Sequence, residues 1–243
     1  MEDKVLFLDF DGVLFDTLKE VYLISRYIHL GKHFLDGINQ ENYSLFSKYK
    51  YLVYNIWMFY YFNPLIFEGV EENKITEKYK SAVLNRNKAE EEKFCTKFLD
   101  ARKQLVNNYF EFWKNLETPY DFFYEIKKIY NNGQKNIVII SKKNKSSIIE
   151  RFQTYSFNLS PDFIFAREIL DNYPSKGEFI NEYMTKNNYK SAIFVDDNKN
   201  NINTVQNKNV TTILALWGNT EPDDTGYNQK EAIDMINNYF ISR

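Results

Sequence analysis

Five short stretches of the chain are apolar almost without interruption, and turn-forming or charged residues bound each of them. "KVLFLDF" (4–10), "KNIVIIS" (135–141), "DFIFA" (162–166), "KSAIFVDD" (190–197) and "VTTILALWG" (210–218) read as strands covered on both faces, as in a parallel sheet flanked by helices. Helical spacing of apolar positions marks the segments between them: "YDFFYEIKKIYN" (120–131), "KSSIIERFQTY" (145–155), "KGEFINEYMTKN" (176–187) and "NINTVQNK" (201–208). Strand and helix in alternation predict an α/β fold, a doubly wound, Rossmann-like parallel sheet.

One interval breaks the alternation. Residues 17–115 show helical periodicity and no convincing strand, with aromatic-rich runs at "YLVYNIWMFYYF" (51–62) and "FLDARKQLVNNYFEFW" (98–113). Roughly a hundred residues far exceeds the usual 2–6 of a βα loop, so the interval predicts an inserted α-helical domain. The expected organisation is a core of residues 1–16 and 116–243, interrupted by a helical domain at 17–115.

Composition narrows the function classes. The chain has 243 residues, 44% hydrophobic and 26% charged, enough to bury a sizeable core. Its 31 basic and 33 acidic residues leave a net charge of -2, which removes any broad attraction to nucleic acid or to an anionic membrane. Cys95 is the sole cysteine, which excludes an intramolecular disulfide and any CxxC motif. No stretch reaches the ~18 apolar residues of a membrane span, and the N-terminus lacks a signal-peptide pattern, so a cytoplasmic protein is expected. His29 and His33 lie four apart on a predicted helix without a third ligand and are assigned to packing or surface roles.

The chemistry is expected where the strands end, because open α/β sheets bind ligands outside their carboxyl edge. Asp9 and Asp11 close the first strand, Ser141 follows the second, and Asp196 with Asp197 ends a later one. So many carboxylates in one crevice would raise one another's pKa values unless a cation neutralised them. With no His or Cys among the donors, Mg²⁺ is the natural cation. Phosphoryl chemistry follows: Asp9 as nucleophile, Asp11 as proton donor and then acceptor. Gly12 lets the chain turn with its amides toward a phosphoryl group, and Ser141 adds a hydroxyl donor. Lys176, at a predicted helix start, is the best-placed cation for the phosphoryl oxygens. Lys142 and Lys143 compete for that role, and Lys142 is counted with Gly12, Ser141 and Lys176 among the phosphate-binding candidates.

These residues resemble the motifs of the haloacid dehalogenase (HAD) superfamily of phosphohydrolases. "DFDGVLFDT" is similar to its first motif, DxDGT/V; Ser141 after "IVII" matches the second, Lys176 the third, and "FVDDNKNNI" the fourth, in the required order over residues 5–202. The helical insertion resembles the C1-type cap of the phosphoglycolate phosphatase-like and β-phosphoglucomutase-like branch. The resemblance implies that Asp9 is nucleophile and metal ligand, and that Asp11 is acid/base and binds metal through its carbonyl. It further implies that Ser141 and Lys176 hold phosphoryl oxygens, and that Asp196 binds Mg²⁺ directly or through water with Asp197 in support. "LWGNTEP" (216–222) resembles the Trp-Gly after the last core strand of many members. Lys176-Gly177 departs from the family's Lys-Pro. The implied activity is a Mg²⁺-dependent phosphatase acting on a small phosphorylated metabolite as monomer or homodimer. The alternatives are a phosphomutase or phosphonate hydrolase on the same fold, or a catalytically silent binding protein.

Overall fold

The computed structural model describes residues 3–241. The chain divides into two compact units, one of residues 1–16 and 119–243, the other of residues 17–118. The first is an α/β unit built on five parallel strands: β1 (Lys4–Leu8), β4 (Ile137–Ile140), β5 (Ile164–Phe165), β6 (Ser191–Asp196) and β7 (Val210–Leu214). Two further short strands, β2 (Phe15–Asp16) and β3 (Thr118–Pro119), flank the points where the chain leaves this unit and returns. The sheet order is β5-β4-β1-β6-β7, so β1 is central, with Leu6 beside Ile137 on one side and Ile193 on the other.

The unbroken apolar runs have a simple cause. Along β1 successive side chains alternate between faces. Leu6 and Leu8 join a core with Phe122, Phe123 and Ile126 of α7 (Asp121–Asn131), Ile148 and Phe152 of α8 (Lys145–Thr154), and Ile233 and Ile236 of α12 (Gln229–Ile241). Val5 and Phe7 enter the opposite core with Leu170 of α9 (Arg167–Leu170) and Phe179, Ile180 and Met184 of α10 (Lys176–Lys186). Both faces are covered, so neither parity can be polar. Each such side chain contributes roughly 1.5–3 kcal/mol when fully buried.

The sequence pattern overestimates one helix. Residues 201–208 read as helical, but the element there is α11 (Lys199–Asn203), which ends before Thr204. Asn198 caps its start by accepting from the Asn200 N–H, and the Thr204 hydroxyl donates to the Asn201 carbonyl at 2.7 Å. Asn and Thr side chains offer the backbone local partners that compete with the helical ladder, which is why a run rich in them stops early.

The second unit is helical, as its periodicity predicts: α1 (Leu18–Leu30), α2 (Gln40–Tyr49), α3 (Phe59–Phe67), α4 (Ile75–Leu84), α5 (Lys88–Asn108) and α6 (Phe110–Lys114). Asn39 and Asn87 cap α2 and α5. Its core is aromatic, with Phe46, Phe59, Phe62, Phe94 and Phe98 in ring contact through edge and stacked pairs. A buried ion group ties three segments: Arg102 Nε lies 2.9 Å from Glu20 Oε1, its guanidinium 3.7 Å from Glu117, and Trp113 Nε1 donates to Glu20 at 2.6 Å. His29 and His33 have separate partners, Glu68 at 3.1 Å and the Tyr109 hydroxyl at 2.8 Å. No helix among the described residues is long and apolar enough to cross a membrane.

Candidate active site

The site lies at the carboxyl edge of the α/β unit. Asp9 directly follows β1 and its N–H still donates to the Val195 carbonyl at 3.0 Å, so the ladder that holds the strand also holds this residue. The Phe10 N–H donates to Asp9 Oδ1 at 2.7 Å, which aims the carboxylate. The chain then turns sharply: the Gly12 N–H donates to the Phe15 carbonyl at 2.8 Å, and Leu14 and Phe15 donate back to Phe10. Phe10 and Phe15 stack at 4.7 Å in the core and anchor the turn. Gly12 adopts φ +81°, and a Cβ there would lie 1.8 Å from Asp197 Oδ2. Only glycine allows that approach.

Lys176 sits at the centre of the charges. Its Nζ lies 2.9 Å from Asp9 Oδ2 and 2.7 Å from Asp196 Oδ2, and the lysine is 4% exposed. It is the first residue of α10, whose N-terminus Ser175 caps by accepting from the Glu178 N–H at 3.1 Å. Gly177 has its own reason: a Cβ would lie 2.2 Å from the Thr204 carbonyl oxygen, so the glycine lets the first turn of α10 pack directly on backbone.

Asp196 ends β6 fully buried. Its Oδ1 accepts from the Asn198 N–H at 2.8 Å and Asn201 Nδ2 at 3.1 Å, and its Oδ2 accepts from Lys176 and from Asn201 Nδ2 at 3.0 Å. Asp197 Oδ2 accepts from the Asn219 N–H at 2.8 Å and from Asn219 Nδ2 at 2.9 Å. Asp9, Asp196 and Asp197 each bring one oxygen into a group within 4.8 Å of one another.

Burial governs the electrostatics. Desolvation pushes Asp9 up from 3.8 to about 7; Lys176 opposes the rise, while Asp196 and Asp11 add to it. Burial likewise raises Asp196 against the pull of Lys176, with Asp197 reinforcing the rise. For Lys176 burial acts downward, but Asp196 and Asp9 outweigh it and hold the ammonium above its ordinary range.

Ser141 follows β4 and is buried; its N–H donates to the Phe165 carbonyl at 3.1 Å and its Oγ accepts from the Lys143 N–H at 3.3 Å. The two lysines beyond it part company. Lys143 is buried, with Nζ 3.1 Å from Asp11 Oδ1 and 5.5 Å from the Phe10 ring centroid. Lys142 instead pairs with Asp171 at 3.0 Å and contacts none of Asp9, Asp11, Asp196 or Asp197. The structure thus gathers Asp9, Lys176, Asp196 and Asp197, sets Asp11 against Lys143, and leaves Lys142 outside. Sequence reasoning did not single out Asn201 and Asn219; for Asn219 the available signal was its place directly after the Trp217-Gly218 pair.

No protein-family model matches the chain, and no curated protein matches it significantly in sequence. Solved structures do. A candidate phosphoglycolate phosphatase from Lactobacillus delbrueckii subsp. bulgaricus superposes with a TM-score of 0.62 at 14% identity, covering 97% of this chain and 99% of that one. A candidate phosphatase from Clostridium acetobutylicum gives 0.59 at 13% identity, over 96% and 97% of the two chains. A haloacid dehalogenase-like hydrolase from Streptococcus pneumoniae gives 0.57 at 11% identity over the same shares. At these identities the likeness establishes a shared fold: the α/β unit with its helical insertion has the architecture of haloacid dehalogenase-like proteins.

Proposed function

We propose that the chain is a Mg²⁺-dependent phosphatase that hydrolyses a small phosphorylated metabolite through an aspartyl-phosphate. The observation that carries this reading is a buried Asp9 at the end of the central strand, bridged by Lys176 to Asp196, with a second acid two residues on. The donor set fits a hard divalent ion: all oxygen, three carboxylates within reach of one position, two of them, Asp9 and Asp196, raised above the ordinary carboxylate range by burial. Asp9, Asp197 and the Asp11 carbonyl would hold the ion, and Asp196, whose oxygens accept from Lys176, Asn198 and Asn201, would support it, the reverse of the roles that the resemblance implies for the two acids. Bound Mg²⁺ would offset the charge of the carboxylates and of the phosphoryl group.

In this reading a carboxylate oxygen of Asp9 attacks phosphorus and the bond to the substrate oxygen breaks, with Asp11 delivering its proton to the departing oxygen. The Gly12 region, Ser141 and Lys176 hold the phosphoryl oxygens during transfer. Water then attacks the same phosphorus, Asp11 takes its proton, and the bond to Asp9 breaks to release orthophosphate. Lys143 holds the Asp11 carboxylate between these steps. The structural neighbours described as hydrolases and phosphatases support the reading. It is tested with p-nitrophenyl phosphate, assayed with Mg²⁺, after EDTA, and in Asp9→Asn. Loss of turnover in both treatments is expected, and activity surviving either one overturns the proposal.

A further inference from the structure

Three cations near the site each meet an acid: Lys176 meets Asp9 and Asp196, Lys143 meets Asp11, and Lys142 meets Asp171. A further cation meets none. Arg167, the first residue of α9, is half-buried and follows β5 at the same carboxyl edge. It is fixed to the loop beyond Ser141: its N–H donates to the Lys143 carbonyl at 3.0 Å, and its Nε to the Lys142 carbonyl at 2.9 Å. The acids beside it are engaged by other groups, Asp171 by Lys142 and Glu168 by the Lys145 N–H at 3.2 Å. Among the described residues, neither terminal nitrogen of the Arg167 guanidinium has a partner.

The topology places this uncommitted fork beside the phosphoryl site. Phe165 of β5 pairs with Ile140 of β4, and the Ser141 N–H donates to the Phe165 carbonyl, so Arg167 stands just beyond Ser141 on the neighbouring strand. β5 lies two strands from β1, about 10 Å at the usual strand spacing, and the contact with the Lys142 carbonyl turns the side chain back toward the end of β4 between them. We propose that Arg167 recognises a second anionic group, a carboxylate or a phosphate, on the phosphorylated substrate, several bonds from the phosphoryl group. The proposal rests on the phosphoryl site proposed above. Its physical basis is the shape of the guanidinium, a planar fork that matches two oxygens of a carboxylate or phosphate. With Nε spent on Lys142, four of its five N–H bonds are left for a ligand. The backbone contacts hold the side chain in place beforehand, which lowers the cost of ordering it on binding.

The test reads binding and needs no turnover. With MgCl₂ present, wild type and Arg167→Gln are titrated by isothermal calorimetry with propylphosphonate and hexylphosphonate, and with the phosphonocarboxylates and bisphosphonates of the same two chain lengths. Glutamine carries an Nε2 donor where arginine has Nε, so the contact with the Lys142 carbonyl can persist while the fork is lost; far-UV circular dichroism confirms the fold. In wild type, at one chain length or the other, a two-anion ligand should bind about 10–100-fold more tightly than its one-anion counterpart. Arg167→Gln should remove most of that ratio, and Lys145→Gln, which deletes a neighbouring charge on α8, should keep it. Preference for the carboxylate or for the bisphosphonate tells which second anion is taken. Equal wild-type affinity for one-anion and two-anion ligands, a ratio kept in Arg167→Gln, or an equal loss in Lys145→Gln overturns the proposal. Wild type that binds none of the phosphonates overturns the phosphoryl site itself and the proposal with it, a result separate from an unchanged ratio.

Discussion

Replacing Lys176 with Met removes an ammonium that touches two buried carboxylates, at 2.9 Å from Asp9 and 2.7 Å from Asp196, while keeping an apolar stem of similar length. With Lys176 4% exposed and Asp196 fully buried, water cannot take its place. Breaking a buried ion pair by deleting one partner costs about 3–5 kcal/mol. The pH dependence follows from the acids left behind. Asp9 already stands near 7 because burial outweighs the pull of Lys176, with Asp196 and Asp11 adding to the rise; Asp196 is raised for the same primary reason. A carboxylate raised in the folded state binds a proton there that the unfolded chain has released, so its stabilising share is lost as pH climbs from the unfolded to the folded value. For Asp9, between 3.8 and about 7, that loss is roughly 4 kcal/mol. Without the lysine both acids move higher still. Urea unfolding in EDTA, followed by circular dichroism, should therefore show Lys176→Met about 3–5 kcal/mol less stable than wild type at pH 8, and less than half as much at pH 5, where the acids take up protons. Adding Asp196→Asn to the variant should recover part of the loss at pH 8. Equal destabilisation at the two pH values would refute the reasoning.

Two more substitutions probe separate parts of the molecule. Gly12→Ala places a Cβ 1.8 Å from Asp197 Oδ2 at a φ of +81°, so under the proposed function turnover of p-nitrophenyl phosphate should fall by about 100-fold or more with the circular dichroism spectrum retained; turnover within tenfold of wild type would remove the close-approach argument. Arg102→Met takes the guanidinium away from the buried Glu20 and Glu117 in the helical unit and should cost about 3–5 kcal/mol there. Hydrogen exchange should accelerate across residues 17–118 while β1 and β6 keep their protection, and uniform acceleration through both units would argue against this local effect.

The elements legible in the sequence are those whose cause is local. β1, β4 and β6 carry no polar parity because helices cover both faces, and an apolar run ending in Asp, Ser or Asp-Asp reports both the strand and its edge. Lys142 and Lys143 show where locality fails. Beyond β4 the chain continues to alternate, so Ser141 and Lys143 turn to one side and Lys142 to the other, where it meets Asp171. That parity depends on where the strand stops, which an apolar run does not mark to within one residue. Asn219 and Asp197 are 22 residues apart, joined only by the way the loop after β7 returns over Gly12. No spacing rule connects them, and the Trp217-Gly218 pair points to the loop rather than to the contact.

The charges at the site also set what it can accept. Asp9, Asp11, Asp196 and Asp197 face two ammonium groups, Lys143 and Lys176, which leaves two negative charges when all four acids are ionised. Nothing in the first turn of α10 or the end of β4 supplies a third cation, because Lys142 is engaged with Asp171. Protons are one way to cancel the excess; the rise of Asp9 to about 7 comes first from its burial, with Asp196 and Asp11 adding to it, and it leaves a proton on Asp9 near neutral pH. A divalent cation is the other, and it cancels the charge while leaving the Asp9 carboxylate ionised. The two responses compete for the same oxygens, so Mg²⁺ affinity should weaken as pH falls below about 7, where each ion bound must displace a proton from Asp9. Calorimetry in buffers of different ionisation enthalpy reads this directly: proton release on Mg²⁺ binding should approach one per site at pH 6 and vanish at pH 8.5. Release that stays constant across that range would separate the raised acid from the cation site.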